Sequence, residues 1–304
     1  MSDAFEVPIP AEYEERWTAI ATGTRTNFHI IRHLGPPLPG SKFHSIIELP
    51  DRVDARTKAY ITAGIEHLHL WADHVAPFKF HPEQRTRIDL RPGLTLARAA
   101  MECAAHALWI FGTRDIEECV RRHIALLRWD LQEHRKSKQS QPEKQQVQAY
   151  EDDLVQAVSA IFTEEQTRPP NGYLQLFQQV CSSDEYTGFE ITEVEPLWRA
   201  ASGAAHGKVW VGNDLQVDHL LSGADGATRS IRVPSVEGIL SVLEMADRMV
   251  LNATFKQVLW SGYDPTERST LAFAWIGQNM TFRDGVDPAV VERMKRGERP
   301  FSTP

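Results

Sequence analysis

Leu94-Thr-Leu-Ala-Arg98-Ala-Ala-Met-Glu102-Cys-Ala-Ala-His106-Ala-Leu-Trp-Ile-Phe-Gly112 decides the fold class. From 96 to 111 nearly every position is apolar or small, and a helix that is hydrophobic all round is a buried one. Three residues break the pattern, Arg98, Glu102 and His106. They recur at every fourth position and so form one polar stripe. The spacing predicts a central helix over 96–111, capped by Thr95 and ended by Gly112.

Working outward, Asp115-Ile-Glu-Glu118 reads as a capping-box variant that opens a second helix to about 136. Upstream, the spacing predicts helices over 11–34 and from an Asp54 cap to 75. Residues 77–93 read as a loop, extended near 88–90, carrying Arg85, Arg87 and Arg91. Downstream, 137–148 reads as a flexible polar connection, followed by helices over 143–162 and 173–181. Thr192-Glu-Val-Glu195 reads as a capping box for a helix to 209 rich in small residues, which suits close packing against the alanine-rich helix. Short apolar alternation in 208–233, around Gly223-Ala-Asp-Gly226, fits a hairpin. Helices over 235–260 and 270–282 precede a basic tail at 283–304, expected to be loosely packed. The expectation is an all-α bundle of about eight helices in one domain spanning 1–304.

Composition narrows function by exclusion. The formal charge of −8 and pI near 5.9 argue against a general nucleic-acid coat or an anionic-membrane binder. Three cysteines make neither a metal-finger spacing nor an even disulfide set, which points to reduced thiols and the cytoplasm. Asp3, Glu6 and Pro8 do not suit a signal peptide, and 96–111 is too short and too charged to span a bilayer. No Walker loop, dinucleotide-binding glycine pattern or nucleophile elbow is present, and no resident cofactor is expected.

Arg199 and His206 are almost two helical turns apart, about 10 Å along the axis, with Ser202 between them and Glu195 one turn before. Here the sequence resembles the HEPN superfamily, all-helical proteins whose nuclease members carry an arginine and a histidine a few residues apart. Arg98-Ala-Ala-Met-Glu102 and Ser202-Gly-Ala-Ala-His206-Gly207 also resemble uncharacterised bacterial helical proteins with those two helices. The resemblance implies a HEPN-like core over about 94–260 and metal-independent cleavage of RNA. Arg199, Ser202 and His206 would be the catalytic set, and Glu102 and Arg98 would support it. Histidine would move the proton of a ribose hydroxyl, and arginine would hold the charge growing on phosphate. Ala200 departs from the polar residue usual after that arginine, and a homodimer pairing two such helices would bring the groups together.

Two other readings stand beside it. An arginine, a serine and a histidine on a packed helix also serve as structural bridges in a binding or scaffold module. Glu66-His-Leu-His69 has the Glu-x-x-His spacing of di-iron bundles, and Glu102 and His106 at i and i+4 could chelate from one face. A metal enzyme would then use Glu66, His69, Glu102 and His106, although such bundles need that spacing twice.

Overall fold

The computed structural model describes residues 10–46, 51–76, 90–183, 185, 188–222, 228–282 and 286–298. Among them the chain is 72% helical, with eleven helices, ten of at least seven residues, and one two-stranded antiparallel hairpin. The long elements are α1 (Ala11–Arg32), α2 (Val53–Val75), α3 (Leu90–Phe111), α4 (Ile116–Ser137) and α5 (Gln141–Val158). Then come α6 (Tyr173–Cys181), α7 (Ile191–Ala205), the single turn α8 (Val211–Asp214), β1 (Gln216–Ser222) and β2 (Thr228–Pro234). The remainder is α9 (Val236–Trp260), α10 (Pro265–Asn279) and α11 (Pro288–Lys295).

α3 is the hub, in contact with α2, α4, α6, α7 and α9. Its alanines are the cause, because small side chains on several faces let several neighbours approach at once. Ala97, Ala100, Ala104, Ala105 and Ala107 are all fully buried. On the α2 side the contact is closest at Gly64, where an added Cβ would lie 3.3 Å from the Ala100 carbonyl oxygen.

Several boundaries differ from the sequence expectation, each for a local reason. α3 begins at Leu90, so the expected loop ends there; residues 77–89, with Arg85 and Arg87, lie outside the described residues. Pro92 belongs to the first turn, where its missing N–H has no intrahelical acceptor to lose. Thr95 is therefore not a cap, and its hydroxyl donates back to the Arg91 carbonyl at 2.8 Å. Gly112 does not take a positive φ. It is small because an added Cβ would lie 2.3 Å from Ser183 Oγ.

The expected connection over 137–148 is only three residues, because Ser140 and Glu143 form a reciprocal capping box with Pro142 in the first turn. α7 starts at Ile191 without a side-chain cap, which removes the capping box at 192–195 and puts Pro196 in the second turn. α2 likewise starts at Val53, and Asp54 binds the Arg52 guanidinium instead of capping. Residues 223–226, expected as a turn, lie outside the described residues. In the basic tail, residues 288–295 form α11, capped by Asp287 and packed on α10, where the Met294 carbonyl carbon sits 2.6 Å from a Cβ added at Gly277. No helix among the described residues is long and apolar enough to cross a membrane.

Candidate functional site

The polar stripe of α3 is split between an open end and a closed end. At the open end, Glu102 accepts a hydrogen bond from Arg98 Nε at 2.8 Å and another from the Trp198 indole at 2.9 Å, both on Oε1. Arg98 is thereby fixed along its own helix, and its Nη1 reaches His206 Nε2 at 3.4 Å. With Nε2 unprotonated the guanidinium donates to it; with Nε2 protonated, two N–H groups face one another. His206 is exposed, so this meeting lies at the surface.

The end of α7 sets that geometry. Gly207 takes φ +69°, Lys208 N–H donates to the Gly203 carbonyl at 2.9 Å and Gly207 N–H to the Ala204 carbonyl at 3.1 Å. This is a Schellman turn, and it leaves His206 as the last residue before the chain reverses. Arg91 Nη1 donates to the same Ala204 carbonyl at 3.1 Å, using its second lone pair and tying the start of α3 to the end of α7. α3 and α7 run antiparallel here, since Arg91 meets Ala204 while Glu102 meets Trp198. Their terminal dipoles therefore oppose one another, and the side chains Arg91, Arg98, His206 and Lys208 set the sign of the corner.

Beside the corner lies an open groove of about 540 Å³, lined mostly by the apolar Leu70, Pro92, Leu96, Ala204 and Ala205, together with Thr95, Gly207 and the charged Arg91. Glycine at 203 serves a different purpose from the one expected of this helix. A Cβ there would lie 2.6 Å from Val211 and 2.8 Å from the Trp210 ring, so Gly203 admits α8. Ala201 and Ala204 are buried in the same helix.

At the closed end, His106 stacks on Tyr60 at 4.8 Å and meets Trp129 and Tyr173 edge-on, each at 5.6 Å. Its Nδ1 is buried without a partner. Burial pushes the imidazole down to about 4, partly opposed by the nearby Glu102 backbone carbonyl. His106 is a neutral core ring. His123 behaves alike: its Nε2 lies 3.0 Å from the Asp51 carbonyl oxygen, and burial takes it to about 4.

Arg199 and His206, the pair expected to work together, are held apart from each other by their partners. Arg199 points back to Glu195 at 2.7 Å and is half exposed, while His206 belongs to Arg98. Ser202 is half-buried between them. The four candidate metal ligands do not converge either. His69 Nδ1 pairs with Asp73 at 3.2 Å and its ring packs on Phe28, Glu66 is exposed, Glu102 serves Arg98, and His106 sits among aromatic rings. No group of three acidic, histidine or cysteine side chains suited to a metal ion occurs among the described residues. All three cysteines are free, and burial pushes their thiols up to about 11 or 12, so none is a ready thiolate.

Sequence reasoning missed Arg91, which it left in a loop, and Leu70, which belongs to no apolar stripe. Pro92 as a helix-start residue was the available signal for Arg91. No family model matches the chain, and no curated protein or solved structure matches it.

Proposed function

We propose that the chain is a binding module whose ligand-contacting surface is the α3–α7 corner, where Arg98 and His206 receive an anionic group. The carrying observation is the 3.4 Å meeting of Arg98 Nη1 with the exposed His206 Nε2, with Glu102 fixing the guanidinium from behind. A guanidinium fixed at Nε still offers its outer N–H groups, and these match the two oxygens of a carboxylate or phosphate. An anion at that point accepts from the guanidinium and, when Nε2 carries a proton, from the imidazole as well. Inorganic phosphate titrated into isotope-labelled protein tests this by nuclear magnetic resonance. Saturable shifts are expected at the His206 ring and at Arg98 Nε, and they should vanish in Arg98→Gln. Absent or unsaturable shifts in the parent would refute the reading.

The same observation favours one second reading, a HEPN-like endoribonuclease acting without metal. Such chemistry needs an arginine and a histidine at one phosphate, and Arg98 with His206 supplies that pair better than Arg199, which is engaged by Glu195. Single-stranded RNA incubated with a chelator separates the two readings. Cleavage that disappears in His206→Ala supports the nuclease, and Arg98→Ala against Arg199→Ala identifies the working arginine. Intact RNA leaves the binding module.

A further inference from the structure

We infer that the groove leading away from the Arg98–His206 corner docks an acidic, amphipathic peptide segment of a partner protein. This rests on the corner being the binding surface, and it adds what the ligand is. The floor supplies the first argument. The apolar stripe of α2 that faces the core is complete without Leu70: Ile61, Ile65, Leu68, Trp71 and Ala72 are all buried. Leu70 lies off that stripe at 63% exposure, beside Leu96 in the groove, and Val209, just past the corner, is 84% exposed. Scattered exposed leucines need no explanation, but an apolar floor with a charged rim is how a docking surface is built.

Charge supplies the second. The chain carries a net charge of −8, yet this corner gathers cations. Arg91 donates to a neutral carbonyl, and among the described residues neither His206 nor Lys208 has a carboxylate partner. A segment with carboxylates on one side and leucine-like side chains on the other satisfies both parts, as amphipathic helices do in apolar grooves. RNA fits less well, because single strands bind by stacking on aromatic platforms and no aromatic side chain lines this groove. The nearby Trp210 ring has an edge against Gly203 and is 43% exposed, and a single ring is no platform for successive bases.

The test is fluorescence anisotropy with three labelled peptides. One carries leucine and glutamate at helical spacing, one has serine for leucine, and one has lysine for glutamate. The parent should bind the first and neither control. Leu70→Glu and Lys208→Glu, both at exposed positions, should each weaken binding about tenfold or more while the circular dichroism spectrum stays unchanged. Equal binding of the leucine and serine peptides, or no effect of Leu70→Glu, would overturn the inference. So would single-stranded RNA bound more tightly than the peptide and unaffected by Leu70→Glu. Failure here and failure of the corner reading look different. If phosphate still shifts His206 and Arg98 while Leu70→Glu changes nothing, only the peptide inference falls. If the peptide needs Leu70 but binds Arg98→Gln and His206→Gln as well as the parent, the corner reading falls and the groove stands.

Discussion

Two seams of this molecule bury polar groups, and they treat them in opposite ways. Where α3 meets α7, the carboxylate of Glu102 is 13% exposed and holds both the Arg98 guanidinium and the Trp198 indole. Where α1 meets α9, Gly23 lets the helices approach until a Cβ there would lie 3.2 Å from Asp247 Oδ2. Asp247 Oδ1, the Thr24 hydroxyl and both amide atoms of Asn27 are buried along that seam without a hydrogen-bond partner. Arg16 is nearby but bridges Glu237 and Glu244 instead. One seam is therefore specified by its polar groups, and the other tolerates them. A buried charge that keeps its partner fixes geometry; one without a partner tends to change protonation state instead.

The largest effect should come from breaking a fully partnered pair. Arg128 binds Glu151 at 3.1 Å, both side chains under one-tenth exposed, and also holds the Glu164 carbonyl and the Thr167 hydroxyl. Arg128→Met leaves Glu151 with only Gln132 and, at 3.9 Å, Arg135. The expected cost is about 3–5 kcal/mol, which a denaturant titration would measure. A parent-like midpoint would mean that partnering is not what holds such groups inside, and the comparison would fail. Glu102→Ala should cost less, about 2 kcal/mol, because the corner is partly open to water. Glu102→Gln should cost less than Glu102→Ala, since the amide oxygen still accepts from Trp198. If Glu102→Ala melted with the parent, the stripe would face solvent and Arg98 would lose its anchor.

Legibility in the sequence follows the same division. The α3 stripe was readable because Arg98, Glu102 and His106 interrupt an otherwise apolar helix at a fixed interval, and periodicity is what sequence displays. The interval made Arg98 one of two candidate partners for Glu102, with Arg199 the other, and the structure pairs Glu102 with Arg98; the meeting of Arg98 with His206 was not readable, because it depends on the turn at Gly207 and on the antiparallel approach of α7. Arg199 and His206 looked like one constellation on a continuous helix, but His206 is already the capping residue and no longer on the helical face. Asp247 gave no signal. It is one acid in a long amphipathic helix, and only the closeness of Gly23 across the seam makes it buried. The helix starts just before Pro92 and Pro142 lie outside the apolar periodicity, and a proline that suits a first turn is the only local mark of them.

Asp247 gives the next prediction, smaller and dependent on pH. Burial first, and then the Glu244 carboxylate, push its carboxyl up to about 7. The unfolded chain ionises Asp247 near its ordinary value of 3.8, so between about pH 4 and 7 the folded form holds the extra proton. Stability from this group therefore falls as pH rises through that window and is flat above it. Asp247→Asn removes the slope. It should melt above the parent at pH 8 and with it at pH 4, and a difference that did not change with pH would mean the seam is wetter than the geometry implies.

The smallest effect concerns His106, whose slope has the opposite sign. Its folded value lies near 4 and the ordinary value is 6.5, so the unfolded chain binds a proton that the folded chain refuses. Stability from His106 is present above pH 6.5 and lost as pH falls toward 4, the reverse of Asp247 across an overlapping range. The two terms offset each other in the parent, which should show a flatter pH profile than either group alone would produce. His106→Phe keeps an aromatic ring against Tyr60, Trp129 and Tyr173 and removes the unpartnered Nδ1. At pH 7 the change should be within about 1 kcal/mol. At pH 5 the variant should gain on the parent, because it no longer excludes a proton. His123, buried in the same way, keeps a residual slope of the same sign. Thermal melts of His106→Phe, Asp247→Asn and the double variant across pH 4–8 separate the terms. If His106→Phe lost ground at pH 5, the ring would be charged in the fold, and the closed end of the stripe would be open after all.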